Sequence, residues 1–78
     1  METKTAKSLG EVIKKHRQGK NMSQEVLSGL ANVDRSHLSK IELGIRSPTM
    51  NVFVKIADAL GVKASMLLSE IEEDANEA

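Results

Sequence analysis

Within the six residues 35–40 the chain sets Arg35, Ser36, His37, Ser39 and Lys40 around a single leucine, Leu38. Arginine and lysine are donor-only cations, and a serine hydroxyl is short enough to permit close approach while still donating. On a helix that turns Leu38 and Ile41 inward, Arg35, Ser36, Ser39 and Lys40 remain outside together. Such a set suits an acceptor-rich anionic surface. Arg and Lys reach guanine O6 and N7 in a major groove, and Ser donates to bases or phosphates. The same residues are equally compatible with a plain solvated face, so the frame that holds the helix has to decide.

The remaining polar residues offer less chemistry. His16 and His37 are the only histidines, there is no cysteine, and no clustered carboxylate accompanies either histidine at metal-ligand spacing. His16 continues an apolar helix face and reads as a packed core-edge residue, and His37 reads as a partly exposed helix residue rather than a catalytic base. Glu72, Glu73 and Asp74 read as a solvated run. No nucleophile and base pairing and no phosphate-cradling glycine loop stands out. The expectation is a protein that is not an enzyme, with no metal, no cofactor and no evident small-molecule ligand.

At 78 residues with 40% hydrophobic content, the chain can close one core but not two. Phe53 is its only aromatic residue. A core of Leu, Ile, Val, Met and Ala suits helices better than a sheet sandwich, so an all-α fold is expected. No apolar run has signal-peptide or membrane-spanning length, which leads to the expectation of a cytoplasmic protein without a membrane partner. The net charge of +0 conceals an asymmetry. Up to Pro48 there are nine Lys or Arg against five acids, and from Thr49 onward two against six, a basic half followed by an acidic one.

Five helices are expected. Residues 1–7 are polar and aperiodic and read as a flexible arm, residues 8–71 as the folded domain, and residues 72–78 as an acidic tail. Ser8 and Glu11 have capping-box spacing before a first helix over about 9–18 that ends at Gly19. Ser23 caps a second helix over about 24–31, with Met22 and Leu27 placed as a hydrophobic staple. Asp34 caps a third over about 35–43, closed by Gly44, and Thr49 caps a fourth that carries Val52, Phe53, Ile56, Ala57 and Leu60 and ends at Gly61. A fifth begins near Ala64.

The second and third helices are separated by only Asn32, Val33 and Asp34. Helices joined so tightly cross steeply, which requires a small residue where they approach and a residue tolerant of the left-handed conformation at the bend. Ser28 and Asn32 meet those two requirements, while Leu27, Ala31, Val33, Leu38 and Ile41 hold the angle from inside. The frame therefore favours recognition over a merely solvated face.

The stretches SQEVLSGLANVDRSHLSKIELGIRSP and KIADALGVKASMLL resemble the Cro and phage-repressor, or XRE-type, family of helix-turn-helix regulators, the likeness running from Leu9 to Leu68. The resemblance implies a compact five-helix, lambda-repressor-like domain that binds operator DNA through the helix at about 35–43. It implies a phosphate contact for Gln24, whose place at a helix N-terminus suits an anion. It places Arg35, Ser36 and Lys40 at base edges, His37 and Ser39 beside them, and Arg46 and Ser47 in a backbone-gripping loop. It also implies a structural ion pair between Arg17 and Glu42. The chain departs from the family in carrying Asn32 for Gly, Ser28 for Ala and Lys63 where a capping Ser or Asp is common. Leu43 is an apolar residue beside the DNA loop, read as covering the core edge.

Met66, Leu67, Leu68 and Ile71 carry more apolar surface than a short terminal helix needs. Met66, Leu67 and Ile71 are accordingly expected at a homodimer interface, which fits a pseudo-palindromic double-stranded DNA operator. The alternative for the same segment is an antitoxin or protein-interaction module that binds a partner protein as well as its own promoter.

Overall fold

A computed structural model describes the backbone of residues 2–77 and the side chains of residues 8–71. Five helices follow in order: α1 (Glu2–Gly19), α2 (Gln24–Ala31), α3 (Arg35–Glu42), α4 (Met50–Leu60) and α5 (Ala64–Glu77). No strand occurs among the described residues.

The connections share one device. Asn21, Asn32, Gly44 and Gly61 all have positive φ, at 57°, 56°, 79° and 73°. After each of them the next N–H reaches back five residues: Met22 to the Arg17 carbonyl, Val33 to Ser28, Ile45 to Lys40 and Val62 to Ala57, at 2.9 to 3.1 Å. This is the Schellman closure, which satisfies carbonyls that a helix end otherwise leaves orphaned. The first turn of α2 is capped by Ser23, whose Oγ accepts from Val26 N at 3.1 Å, and that of α4 by Thr49, which accepts from Val52 N at 3.2 Å.

Several boundaries differ from the expectation. α1 begins at Glu2, so residues 2–7 are its opening turns rather than an arm outside it. Nothing before Gly10 breaks a helix, and Ala6, Lys4 and Lys7 are good helix formers. Ser8 is consequently a buried residue within α1, not its cap. Gly19 is the last helical residue, and the left-handed bend falls at Asn21. Asp34 stands at the N-cap of α3 but makes no capping hydrogen bond. α5 runs on to Glu77, through the segment expected as a tail; the side chains of Glu72, Glu73 and Asp74 lie outside the described ones.

Two apolar clusters hold the helices. Ile13, Leu27, Ala31, Leu38, Ile41, Ile56 and Leu60 join α1 to α4, with Met22 packed against them as the expected staple requires and Val33 packed there too. Val12, Phe53, Ala57, Leu67 and Ile71 form the second, which docks α5 on α1 and α4. Leu67 is 0% and Ile71 7% exposed, so these two are core residues and not the interface residues expected of them. The amphipathic period of α5 turns them inward and leaves Met66 and Leu68 outside.

α1 is the common wall, packing against both α3 and α5. Its Gly10 meets the end of α3 so closely that a Cβ there would strike the carbonyl oxygens of Ile41 and Glu42 and lie 2.8 Å from the Glu42 carbonyl carbon. Consecutive residues of α1 then hold its two neighbours. His16 Nε2 stands 3.0 Å from Glu70 Oε2 of α5, and Arg17 pairs with Glu42 of α3.

Candidate nucleic-acid interface

The third helix is anchored by the two residues that its period turns inward, Leu38 and Ile41, both fully buried. That anchoring fixes what faces outward. Arg35, Ser36 and Lys40 are exposed, and His37 and Ser39 are half-buried beside them. The only acid within α3, Glu42, is buried and paired. Its Oε2 accepts from Arg17 Nε at 2.7 Å and its Oε1 from Arg17 Nη2 at 3.0 Å, a two-bond fork. Arg17 Nη1 donates to the Met22 carbonyl at 2.7 Å, so the guanidinium also ties the end of α1 to the entrance of α2. The basic outer face of α3 thus carries no uncompensated acid of its own, although Asp34 is exposed at its threshold.

Gln24 opens α2 beside this network, and its Nε2 donates to Glu42 Oε1 at 3.0 Å. Gln24 shares an open cleft of about 450 Å³ with Arg17, Ser23, Glu25 and Arg35. The start of α3 and the N-terminus of α2 therefore border one surface. The free N–H groups of a helix N-terminus favour an anion there. Arg46 and Ser47 are exposed in the loop that leaves α3. Gly44 sets the direction of that loop, where Ile45 N bonds the Lys40 carbonyl at 3.0 Å and Arg46 N the same oxygen at 3.3 Å. The backbone bearing Arg46 is in this way fastened to the last turn of α3.

The sequence-predicted residues accordingly fall into one group along α2, α3 and the following loop, with Arg17 and Glu42 buried behind them. Met66 stands elsewhere, on α5. Leu43 and Ile45, each 67% exposed, flank Gly44 in the same loop, so Leu43 does not cover the core edge as expected. Gly10 and the Gln24 to Glu42 hydrogen bond were not anticipated. A glycine inside an otherwise regular apolar helix pattern was the signal for the first, and a contact across 18 residues of sequence has no local signal at all.

Among the described residues no group of three metal-ligating side chains converges, and no described helix is long and apolar enough to cross a membrane.

Comparison with known proteins accords with this geometry. The control protein C.MunI of Mycoplasma sp is 36% identical over 66 residues, which span 83% of this chain and 89% of that protein. The immunity repressor protein of Bacillus phage phi105 is 32% identical over 63 residues, 81% of this chain but 44% of the repressor, so the chain spans less than half of that relative. Among solved structures, the restriction-modification controller protein C.Esp1396I, crystallised as a tetramer in complex with its natural 35 base-pair operator, superposes with a TM-score of 0.82 at 30% identity, covering 90% of this chain and 92% of that one. The Helix-turn-helix family profile matches residues 13–67, which include all of α2, α3 and α4. By its sequence, its five-helix architecture and its tight α2 to α3 bend, the chain belongs to the helix-turn-helix family of the XRE, or Cro/C1, type.

Proposed function

We propose that this chain is a transcriptional regulator that binds double-stranded operator DNA sequence-specifically as a homodimer, laying α3 in the major groove of each half-site. The observation that carries this reading is the sorting of charge on α3: its cations stand outside, while its one acid is buried and neutralised from behind. Arg35, Ser36 and Lys40 read base edges, with His37 and Ser39 beside them. Gln24, Arg46 and Ser47 grip phosphates, which positions the helix without reading sequence. The operator complex of C.Esp1396I supports the same use of the fold here.

The dimer face is not built on Leu67, which is fully buried, but on the exposed apolar residues beside it, with the nearly buried Ile71 at the floor of the groove they border. Leu9, Pro48, Met50, Phe53, Leu68 and Ile71 line an apolar groove of about 200 Å³, and Met50, Met66 and Leu68 are largely exposed around α4 and α5. An exposed apolar patch of this kind is a normal mark of association. A second copy is the occupant that suits a two-fold operator.

Selection of bound duplexes from a random DNA pool, with light scattering of the free and bound protein, tests both parts. The expected result is a pseudo-palindrome with half-sites about 10 base pairs apart, bound by two chains. A site without two-fold symmetry, occupied by one chain, would overturn the dimer reading, and failure to enrich any sequence would overturn the specificity.

A further inference from the structure

One carboxylate joins three elements. Glu42, at the end of α3, accepts two hydrogen bonds from Arg17 of α1 and one from Gln24, the first residue of α2. Glu42 is 7% exposed, so its carboxylate does not itself meet a ligand on this face. Gln24 is half-buried and borders the cleft that Arg35 also lines.

The chemistry of the three groups dictates an orientation. A carboxylate ionised beside a guanidinium has acceptors only, so it selects the nitrogen end of the Gln24 amide and turns the oxygen away. One Nε2 hydrogen is thereby committed to Glu42, and the second remains for another acceptor. A free glutamine must give up much rotamer freedom to make a directed contact, whereas one already held does not. Arg17 also offsets the Glu42 charge, which standing alone would oppose a phosphate nearby.

We propose that Glu42 is a positioning residue for DNA binding: held by Arg17, its Oε1 preorganises the Gln24 carboxamide to donate its second Nε2 hydrogen to a backbone phosphate at the N-terminus of α2. This rests on the DNA-binding function proposed above and gives the buried ion pair a part in affinity in addition to its part in folding.

A double-mutant cycle on the full chain tests it, using anisotropy on the duplex selected from the random pool and circular dichroism to confirm folding. Gln24→Met keeps the side-chain length and removes both donors, and Glu42→Gln keeps the shape and removes the charge. Each alone weakens binding about 3- to 10-fold, the scale of one oriented side chain with its hydrogen bond. Because Glu42 acts through Gln24, the double variant loses the same amount and not the product of the two. Should Glu42→Gln fail to fold, the parent reports instead: in the free protein one Gln24 side-chain amide hydrogen exchanges with solvent markedly more slowly than those of the exposed Gln18. Effects that multiply, or a Gln24 amide that exchanges like that of Gln18, overturn the positioning role while leaving DNA binding intact. A parent that binds no duplex overturns both.

Discussion

Gly10 of α1 abuts the carbonyl of Ile41 at the end of α3, with no room for a side chain between them. Gly29 of α2 is also helical, but a Cβ added there meets nothing within 4 Å. Alanine should therefore act with opposite sign at the two positions. Gly29→Ala removes backbone freedom from the unfolded chain and raises stability by about 0.5 to 1 kcal/mol. Gly10→Ala forces two helices apart and lowers it by about 1 to 3 kcal/mol. Thermal melting of both variants beside the parent checks the pair, and a Gly10→Ala variant as stable as the parent would mean that α1 does not seat on α3 as described.

Removing one partner of the Arg17 and Glu42 fork strands a buried charge. Glu42→Ala is expected to lose about 3 to 5 kcal/mol in urea unfolding, against less than about 1 for an exposed pair. A loss below about 1 kcal/mol would place the pair in solvent.

Asn32 holds a left-handed conformation that a side chain without local hydrogen bonding adopts poorly. Asn32→Ala should cost about 1 to 2 kcal/mol, and Asn32→Gly should be close to neutral because glycine needs no such compensation. Equal melting of all three proteins would show that the bend does not depend on this residue.

Arg35 and Arg46 are both exposed cations on the proposed DNA face, and they should fail differently. Arg35→Ala removes a base contact worth about 1 to 3 kcal/mol of discrimination, so it weakens the preferred operator far more than scrambled DNA. Arg46→Ala weakens both alike and reduces the salt slope by about 1. Titration of each variant against both duplexes at several salt concentrations separates them.

Neighbouring leucines on α5 should also separate. Leu67→Ala opens the second core and is expected to cost about 2 to 5 kcal/mol. Leu68→Glu leaves the fold standing but sets a charge in the apolar groove, so light scattering should find monomers at concentrations where the parent is dimeric. A dimeric Leu68→Glu protein would move the interface elsewhere.

What could be read from sequence was whatever local chemistry controls. Ser23 and Thr49 cap because a short oxygen before a helix has one obvious partner, and Asn32, Gly44 and Gly61 bend because few residues tolerate positive φ. Resemblance to relatives, and not spacing, pointed to Arg17 with Glu42. The beginning of α1 was hidden because Ser8 and Glu11 imitate a cap in a segment that has no breaker to stop the helix. The assignment of Leu67 and Leu68 to opposite sides turned on a single step of helix rotation, about 100°, and a short apolar run carries no phase of its own. The Gln24 bond to Glu42 depends on how three helices meet, and no window of sequence contains it.

His16 and Arg17 stand side by side on α1, one facing α5 and the other α3. If α5 carries the seam between two subunits, α1 is a strut of fixed length from that seam to the reading helix, pinned at adjacent residues. Two such struts make a gauge. One base pair inserted at the centre of an operator shifts the half-sites by about 3.4 Å and rotates them by about 34°. A rigid helix with both neighbours clamped at one turn has little slack to follow, and so the protein should measure the length of its operator as strictly as it reads the letters.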